Sequence, residues 1–272
     1  MVPLVRPADE LFSSLVQSSA RDLTMAVNGN YYDITTAGKA DAYFGHDPVG
    51  AAETLIEGQV VSGGRVVGGA SRPIMFYFAQ MAGNRPNTNV GPGWYFKAGR
   101  GNPPTGTGTI AAIGGLGPLI ITSLPFGAGN LYRPGHQGPA TGEPGPAHSR
   151  YLVQRNNETF RSADSRPAST GKPILAYSAQ SDALLVGVQQ HGLGPRQSYR
   201  YIAQALAGNG FSDAIFLDGS DSAMMWFGGR FEVMPGDDKD ETITVGLEFR
   251  HRPPPPPRRG APERDPFARP RR

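Results

Sequence analysis

Short apolar runs separated by turn-forming residues dominate the chain and predict a strand-rich protein. Such runs lie at residues 23–27, 59–67, 74–79, 93–98, 109–123, 174–178, 183–189, 214–217 and 242–249. Most have strand length and end near Gly, Pro, Asn or Asp, which favour turns. Gly63-Gly64 predicts a hairpin within 59–67, and the glycines of 109–123 predict a turn between two short apolar segments.

Two other segments have helical spacing. Residues 9–20 place apolar side chains along one helical face, at Leu11, Phe12, Leu15 and Val16. A second helix is predicted to begin at Ser198 and to end at Gly208 and Gly210, because glycine commonly terminates helices. The pattern as a whole predicts an α+β fold: a single strand-rich domain with a mixed sheet and a few helices.

Composition narrows the class of protein. The 272 residues include 37 Gly and 26 Pro, which excludes a helical bundle, and 38% are hydrophobic, enough for a sizeable core. The absence of cysteine excludes disulfides, thiolate metal ligands and a cysteine nucleophile. We expect an N-terminal helix in 1–21, the main domain in 22–249 and a disordered tail in 250–272, where five consecutive prolines disfavour packing.

The charge is divided unevenly along the chain. The tail has eight Arg against Glu263 and Asp265, a net +6, whereas the remainder has 18 basic and 21 acidic residues, a net −3. Nucleic acid is therefore expected to bind only weakly, through the tail. The first residues lack the apolar core of a secretory signal, and no apolar run is long enough to span a membrane. The compartment therefore stays open: the cytoplasm is the default expectation, and export by a dedicated machine or a place in a phage particle are the alternatives.

The segment AIFLDGSDSAMMW at 214–226 is the strongest candidate site. An apolar strand ends there in two carboxylates, two serines and a glycine. Asp218 lies where burial and neighbouring groups can tune a carboxylate for acid, base or nucleophilic chemistry, and Gly219 lets the backbone approach a ligand. The structural alternative is a turn in which the two carboxylates cap backbone amides.

Other side chains add fewer constraints. His191 follows the strand predicted at 183–189 and is a candidate for the same strand-end face as Asp218. The remaining histidines are scattered, so no dedicated metal site is expected. The acidic residues of 237–241 predict a solvated turn rather than a calcium site. Residues 125–149, rich in Gly and Pro, predict either an active-site surround or a mobile excursion.

FLDGSDSAMM resembles the LDGGGS-type signature of the phosphodiester glycosidase family. Three further segments are similar to that family's motifs, in the same order: AVNGNYYD at 26–33 to its NxGFF-like loop, AIGGLGPLI at 112–120 to its GxGP segment, and SRPASTG at 165–171 to its arginine-containing PRTAxG-like segment. The helix before the aspartate strand also falls where the family has one. The similarity spans about residues 22–249 and depends on the order of four motifs.

This sequence departs from the family pattern in three places. Gly219-Ser220-Asp221 stands where family members commonly have three glycines, and the second carboxylate can reshape the substrate pocket. Tyr31 and Tyr32 replace the usual phenylalanines, and Pro167 interrupts the segment of Arg166. The identity of the sugar therefore does not follow from the resemblance.

The resemblance implies hydrolysis of a sugar-1-phosphodiester at its anomeric carbon. Asp218 would be the principal base or nucleophile, and Asp221 a second carboxylate, since glycosidases usually use two. Arg166 would bind the phosphate, because a guanidinium can donate two parallel hydrogen bonds to phosphate oxygens. His191 completes the catalytic candidates. No cofactor is required, although a divalent cation stays open.

The same segments supply the expected contacts with a carbohydrate or sugar-phosphate substrate. The asparagines can donate to hydroxyls, the tyrosines can stack on a sugar face, and the glycine-rich segment can present amides to an anion. The candidates are Asn28, Asn30, Tyr31, Tyr32, Gly115, Gly117, Gly219, Ser220 and Ser222. Capped turns, core aromatics and a surface arginine are the structural alternatives.

Two other functions fit the same residues. One is a metal-dependent phosphodiesterase that breaks the P–O bond, with Asp218 and Asp221 around a divalent ion. The other is a carbohydrate-binding protein in which the altered segment after Asp218 marks a degenerate, non-catalytic site.

Overall fold

A computed structural model provides the architecture. It describes part of the chain, namely residues 1–5, 11–19, 23–29, 32–33, 55–56, 58–71, 75–83, 93–125, 171–193, 197, 199–219, 222–236, 240, 243 and 245–250.

A five-stranded sheet forms one layer of the fold. Its strands, from edge to edge, are β1 (Val2–Val5), β16 (Val245–Phe249), β2 (Met25–Asn28), β14 (Met225–Phe227) and β15 (Arg230–Val233). The central strand β2 is four residues long and pairs with β16 and β14. Asn28 is the last residue of β2 and lies opposite Gly246, near the start of β16.

A nine-stranded sheet forms the second layer. Its main path runs through β12 (Ala183–Gln189), β11 (Lys172–Ser178), β13 (Asp213–Phe216), β9 (Thr109–Ile121), β5 (Val60–Ser62) and β6 (Arg65–Gly68). Two further strands, β7 (Phe76–Gly83) and β8 (Gly93–Arg100), extend from β9, and β10 (Leu124–Pro125) also pairs with β9. A separate pair consists of β3 (Tyr32–Asp33) and β4 (Leu55–Ile56).

Period-two alternation along the strands of the small sheet divides its apolar residues between two cores. Val27 and Leu247 of the small sheet belong to the main core, together with Phe78 and Leu119 of the large sheet. Ala26, adjacent to Val27, faces a smaller core instead. That core lies under helix α1 (Phe12–Ser18) and includes Phe12, Met224 and Trp226. Both faces of the small sheet are therefore covered.

Helix α2 (Tyr199–Gly208) packs on the main core. Its apolar positions Tyr199, Ala203 and Leu206 are buried. The helix ends at Gly208, and Gly210 follows with φ +80°, a left-handed conformation that glycine adopts without strain. Neither helix of the described residues is long and apolar enough to cross a membrane.

The strand-rich α+β prediction is confirmed, and the described chain is mostly β. The helix within 9–20, the 59–67 hairpin, the 174–178 and 183–189 pair and the strand before Asp218 are all present. The mixed sheet is wrong, because every strand pairing in the described part of the chain is antiparallel. The predicted divisions near residues 21 and 250 stay predictions.

The turn predicted within 109–123 is also wrong, because residues 109–121 form one continuous strand, β9. Its glycines permit close packing rather than chain reversal. A Cβ added at Gly117 would lie 1.9 Å from the Phe216 ring, and one at Gly114 would lie 2.8 Å from Pro103. Gly115 adopts φ +69° within the strand. Most of the predicted loop at 125–149 and nearly all of the tail lie outside the described residues.

Candidate functional site

Asp218 lies just beyond the end of β13, at the junction of the two sheets. Its backbone N–H donates to the carbonyl of Gly29, at 2.9 Å, and the preceding Leu217 N–H donates to Pro173, at 3.0 Å. Gly29 in turn donates to Val245 at the start of β16, at 2.8 Å. The buried aspartate is thus held by strands of both sheets.

Asn28 fixes the same junction from within. Its side-chain amide nitrogen donates to the Asp218 carbonyl, at 2.5 Å, and its amide oxygen accepts from the Met224 N–H, at 3.0 Å. The residue is fully buried, so these bonds replace the water that an exposed amide would bind. The Asn28 side chain therefore joins Asp218 to Met224 across the segment between them. We call this pair of bonds the clamp, and Asn28 is a positioning residue for Asp218.

Gly219 allows two loops to touch. A Cβ at this position would lie 2.5 Å from the Gly171 carbonyl oxygen and 3.2 Å from the Tyr199 hydroxyl. Because real Cβ atoms do not approach backbone oxygens so closely, only glycine fits without a shift of the chain. The chain then turns, with the Ser222 N–H donating to the Gly219 carbonyl at 3.2 Å. The Ser222 side chain is buried.

Lys172 is the charged residue that the sequence interpretation missed. It begins β11, which is antiparallel to β13 with Ile174 opposite Phe216. The hydrogen bond from Leu217 to Pro173 continues this register. The contact of Gly219 with Gly171 extends it two residues beyond that pair. Lys172 therefore lies opposite Asp218, between two positions at which the chains touch.

The surroundings of Lys172 are unusual for a lysine. The residue is only 2% exposed, and burial lowers the pKa of its ammonium group to about 8. Its Nζ lies 5.8 Å from the centroid of the Tyr199 ring, within the range of a cation–π contact. Tyr199 itself stacks on Phe216 with ring centroids 4.0 Å apart. These rings form an apolar wall beside the ammonium group.

His191 lies at the edge of this arrangement, as the strand order predicts. It follows β12, and its Nδ1 accepts a hydrogen bond from the Gly171 N–H, at 3.3 Å. Gly171 in turn faces Gly219, so one residue separates the imidazole from the Asp218 segment. The histidine is exposed, whereas Asp218 and Lys172 are buried.

The structure brings together part of the predicted site. Asn28 bonds the Asp218 main chain, Gly219 follows Asp218 and bonds Ser222, and His191 bonds Gly171, which faces Gly219. Gly117 pairs with Phe216 on the neighbouring strand, and Gly115 lies two residues before it. Their proposed contact with a substrate anion stays a prediction.

The remaining candidates lie outside the described residues, or their side chains do. Those outside are Asn30, Tyr31, Arg166, Ser220 and Asp221. Tyr32 belongs to β3, but its side chain is not described. The sequence did hold a signal for Lys172, because it is the single charged residue of the apolar segment GKPILAYSAQS at 171–181.

A carboxylate and an ammonium group that start from facing backbone positions, as Asp218 and Lys172 do, can perform two kinds of chemistry. The carboxylate can accept a proton or attack an electrophilic carbon, while the cation stabilises negative charge that develops nearby. Both effects are stronger in a dry site than in water, because the dielectric constant is lower.

Comparison with known proteins supports the fold at a distance. No protein-family model matches the chain, and no curated protein matches its sequence. Among solved structures, it is similar to the catalytic domain of zebrafish N-acetylglucosamine-1-phosphodiester alpha-N-acetylglucosaminidase, auto-inhibited by its pro-peptide, with 16% identity and a TM-score of 0.51 over 92% of this chain and 72% of that one. A hypothetical protein from Synechocystis aligns over 90% of this chain and 55% of its own, with 12% identity and a TM-score of 0.47. The zebrafish enzyme and this chain therefore share a fold.

Proposed function

We propose that this protein is a phosphodiester glycosidase, a hydrolase that cleaves the bond between a sugar's anomeric carbon and a phosphodiester. One observation carries the proposal: the AVNGN and FLDGS segments, about 190 residues apart in sequence, meet through the bonds of Asn28 and Gly29 to Asp218. Two of the segments that carry the family resemblance thus form one site. The shared fold with the zebrafish enzyme supports the same conclusion.

Asp218 acts as base or nucleophile in this mechanism. As a base, it takes a proton from water while the water oxygen bonds to the anomeric carbon. The anomeric C–O bond breaks, and its electron pair leaves with the phosphate oxygen. One water is consumed, and the products are a free sugar and a phosphate monoester. This leaving group needs little protonation, so one carboxylate in the right place suffices. Arg166 binds the phosphate in the proposal, and Asp221 provides a second carboxylate.

The test uses oxygen-18 water and the Asp218→Asn variant. The full chain is incubated with a panel of sugar-1-phosphodiesters and UDP-sugars, and products are identified by mass spectrometry. We expect labelled free sugar from the wild type and about 1000-fold less from Asp218→Asn, because the change keeps the size but removes the basicity.

Three results would contradict the proposal. Labelled phosphate in place of labelled sugar would show P–O cleavage, and loss of activity in chelator would then assign a metal-dependent phosphodiesterase. A glycan that binds but is never turned over would indicate a binding protein. Full activity in Asp218→Asn would show that the aspartate is not catalytic and has the structural role of a turn cap.

A further inference from the structure

We propose that Lys172 binds the leaving phosphate alongside Arg166 and stabilises the negative charge that the phosphate gains as the glycosidic bond breaks. The inference rests on the proposed function and deepens it by naming the anion-binding group within the described site. It also predicts that the site prefers a substrate with an anionic leaving group over a neutral glycoside.

The strand register carries the first step of the argument. Pro173 contacts Leu217 on one side and Gly171 contacts Gly219 on the other, so Lys172 and Asp218 occupy facing positions of adjacent antiparallel chains. Facing residues of this kind have Cβ atoms about 5 Å apart. A group at the anomeric carbon beside Asp218 would therefore lie within reach of a lysine side chain.

Burial carries the second step. An ammonium group in a site that excludes water costs free energy, and burial lowers the pKa of Lys172 accordingly. A phosphate that accepts hydrogen bonds from this ammonium group would form charge-assisted bonds, which are stronger in a site of low dielectric constant than in water. Within the described part of the chain, the titratable groups on the adjoining elements are Asp218 opposite Lys172, Tyr199 beside its Nζ, and His191 next to Gly171.

Apolar contact alone does not explain the lysine. Lys97 on β8 makes a similar cation–π contact, with its Nζ 5.8 Å from the Tyr77 ring centroid, yet it lies near Asp213 at the other end of β13. Lys97 is therefore a matched control, with the same ring contact and no facing Asp218.

The first measurement compares Lys172→Met, Lys172→Arg and Lys97→Met on the phosphodiester that the wild type hydrolyses. We expect Lys172→Met to lower kcat/KM by about 100-fold, because it keeps the length but removes the charge. Lys97→Met should stay within about threefold. The Met variant suits a buried position, and circular dichroism checks that it folds. An effect of Lys172→Met no larger than that of Lys97→Met would overturn the inference.

The pH profile separates charge from structure. Wild-type activity should fall above about pH 8, where the Lys172 ammonium deprotonates. In Lys172→Arg this alkaline limb should disappear, because a guanidinium stays charged while Asp218, Tyr199 and His191 are all retained. The same alkaline limb in wild type and Lys172→Arg would contradict the proposal, because a purely structural lysine would not move it.

Binding of inorganic phosphate keeps the inference testable when no substrate turns over. Titration calorimetry should show binding to the wild type and to Lys97→Met, and at least tenfold weaker binding to Lys172→Met. Phosphate binding that depends on Lys172 without any hydrolysis would sustain the anion site and reject the glycosidase. Hydrolysis that Lys172→Met leaves intact would do the reverse.

Discussion

Asp213 and Asp218 stand at opposite ends of β13, and the contacts described at the two ends have different consequences. At Asp213 the carboxylate itself is held: one oxygen accepts from the Ala98 N–H at 2.9 Å and the other from the Ser212 hydroxyl at 2.7 Å. At Asp218 the main chain is held, by Gly29 and Asn28. The Asp213 carboxylate joins β8 to β13 and therefore stabilises the fold. The contacts at Asp218 fix its main chain and therefore the position from which its side chain extends.

This comparison shows why burial alone does not identify a catalytic carboxylate. Burial raises the pKa of Asp213, although its two hydrogen bonds and nearby Lys97 act in the opposite direction. A perturbed pKa would therefore nominate Asp213 as a functional residue. The contacts nominate Asp218 instead, because it is there that segments from both sheets and a facing lysine converge.

Among these variants, replacement of Asn28 should cause the largest loss of stability and of activity. In Asn28→Asp, an acceptor replaces the donor that faces the Asp218 carbonyl, in a fully buried position. We expect a loss of about 3 kcal/mol in the free energy of unfolding, measured with urea, and loss of activity. Asn209→Asp is the control, because the exposed Asn209 amide also donates to a carbonyl, that of Ala205. If both variants lose equal stability, the clamp has no special role.

A methyl group at Gly219 should sharpen the comparison by moving the Asp218 segment without changing its chemistry. The added Cβ must displace the Gly171 carbonyl, so we expect Gly219→Ala to lose about 2 kcal/mol of stability and about tenfold in kcat/KM. Gly208→Ala, at the end of α2, has nothing within 4 Å of its Cβ and should be neutral or slightly stabilising. A Gly219→Ala variant with unchanged stability and activity would show that the contact tolerates the added methyl group.

The smallest effect is expected at Asp213. Folding raises the pKa of Asp213 above its ordinary value of 3.8. Between these two pKa values the folded protein binds more protons than the unfolded chain, so the stability that this group contributes falls as pH rises through that range. Asp213→Asn removes the charge and should be within about 1 kcal/mol of wild type, or more stable, at pH 7. Its advantage should shrink as pH falls from the raised pKa towards the ordinary value of 3.8, and it should be gone below that value. Thermal unfolding across this pH range measures the difference, and a variant that loses activity as Asp218→Asn does would erase the contrast between the two ends.

Local patterns predicted the strand that ends at Asp218 and the helix that ends at Gly208, because both depend on short-range periodicity and on glycine. The shape of β9 escaped prediction, since Gly117 accommodates the Phe216 ring, almost 100 residues away in sequence. Lys172 escaped for the same reason. It stands out as the single charge of its own segment, but its position opposite Asp218 follows only from the pairing of β11 with β13, two strands about 40 residues apart in sequence.

The hydrogen bond from Asp218 to Gly29 joins a residue of one sheet to a residue of the other. The amide proton of Asp218 exchanges with solvent only when this bond breaks, so its hydrogen-exchange rate reports how often the two sheets separate at this point. The site therefore depends on both sheets: Asp218 and Lys172 come from the large sheet, whereas Asn28 and Gly29, which hold the Asp218 main chain, come from the small one.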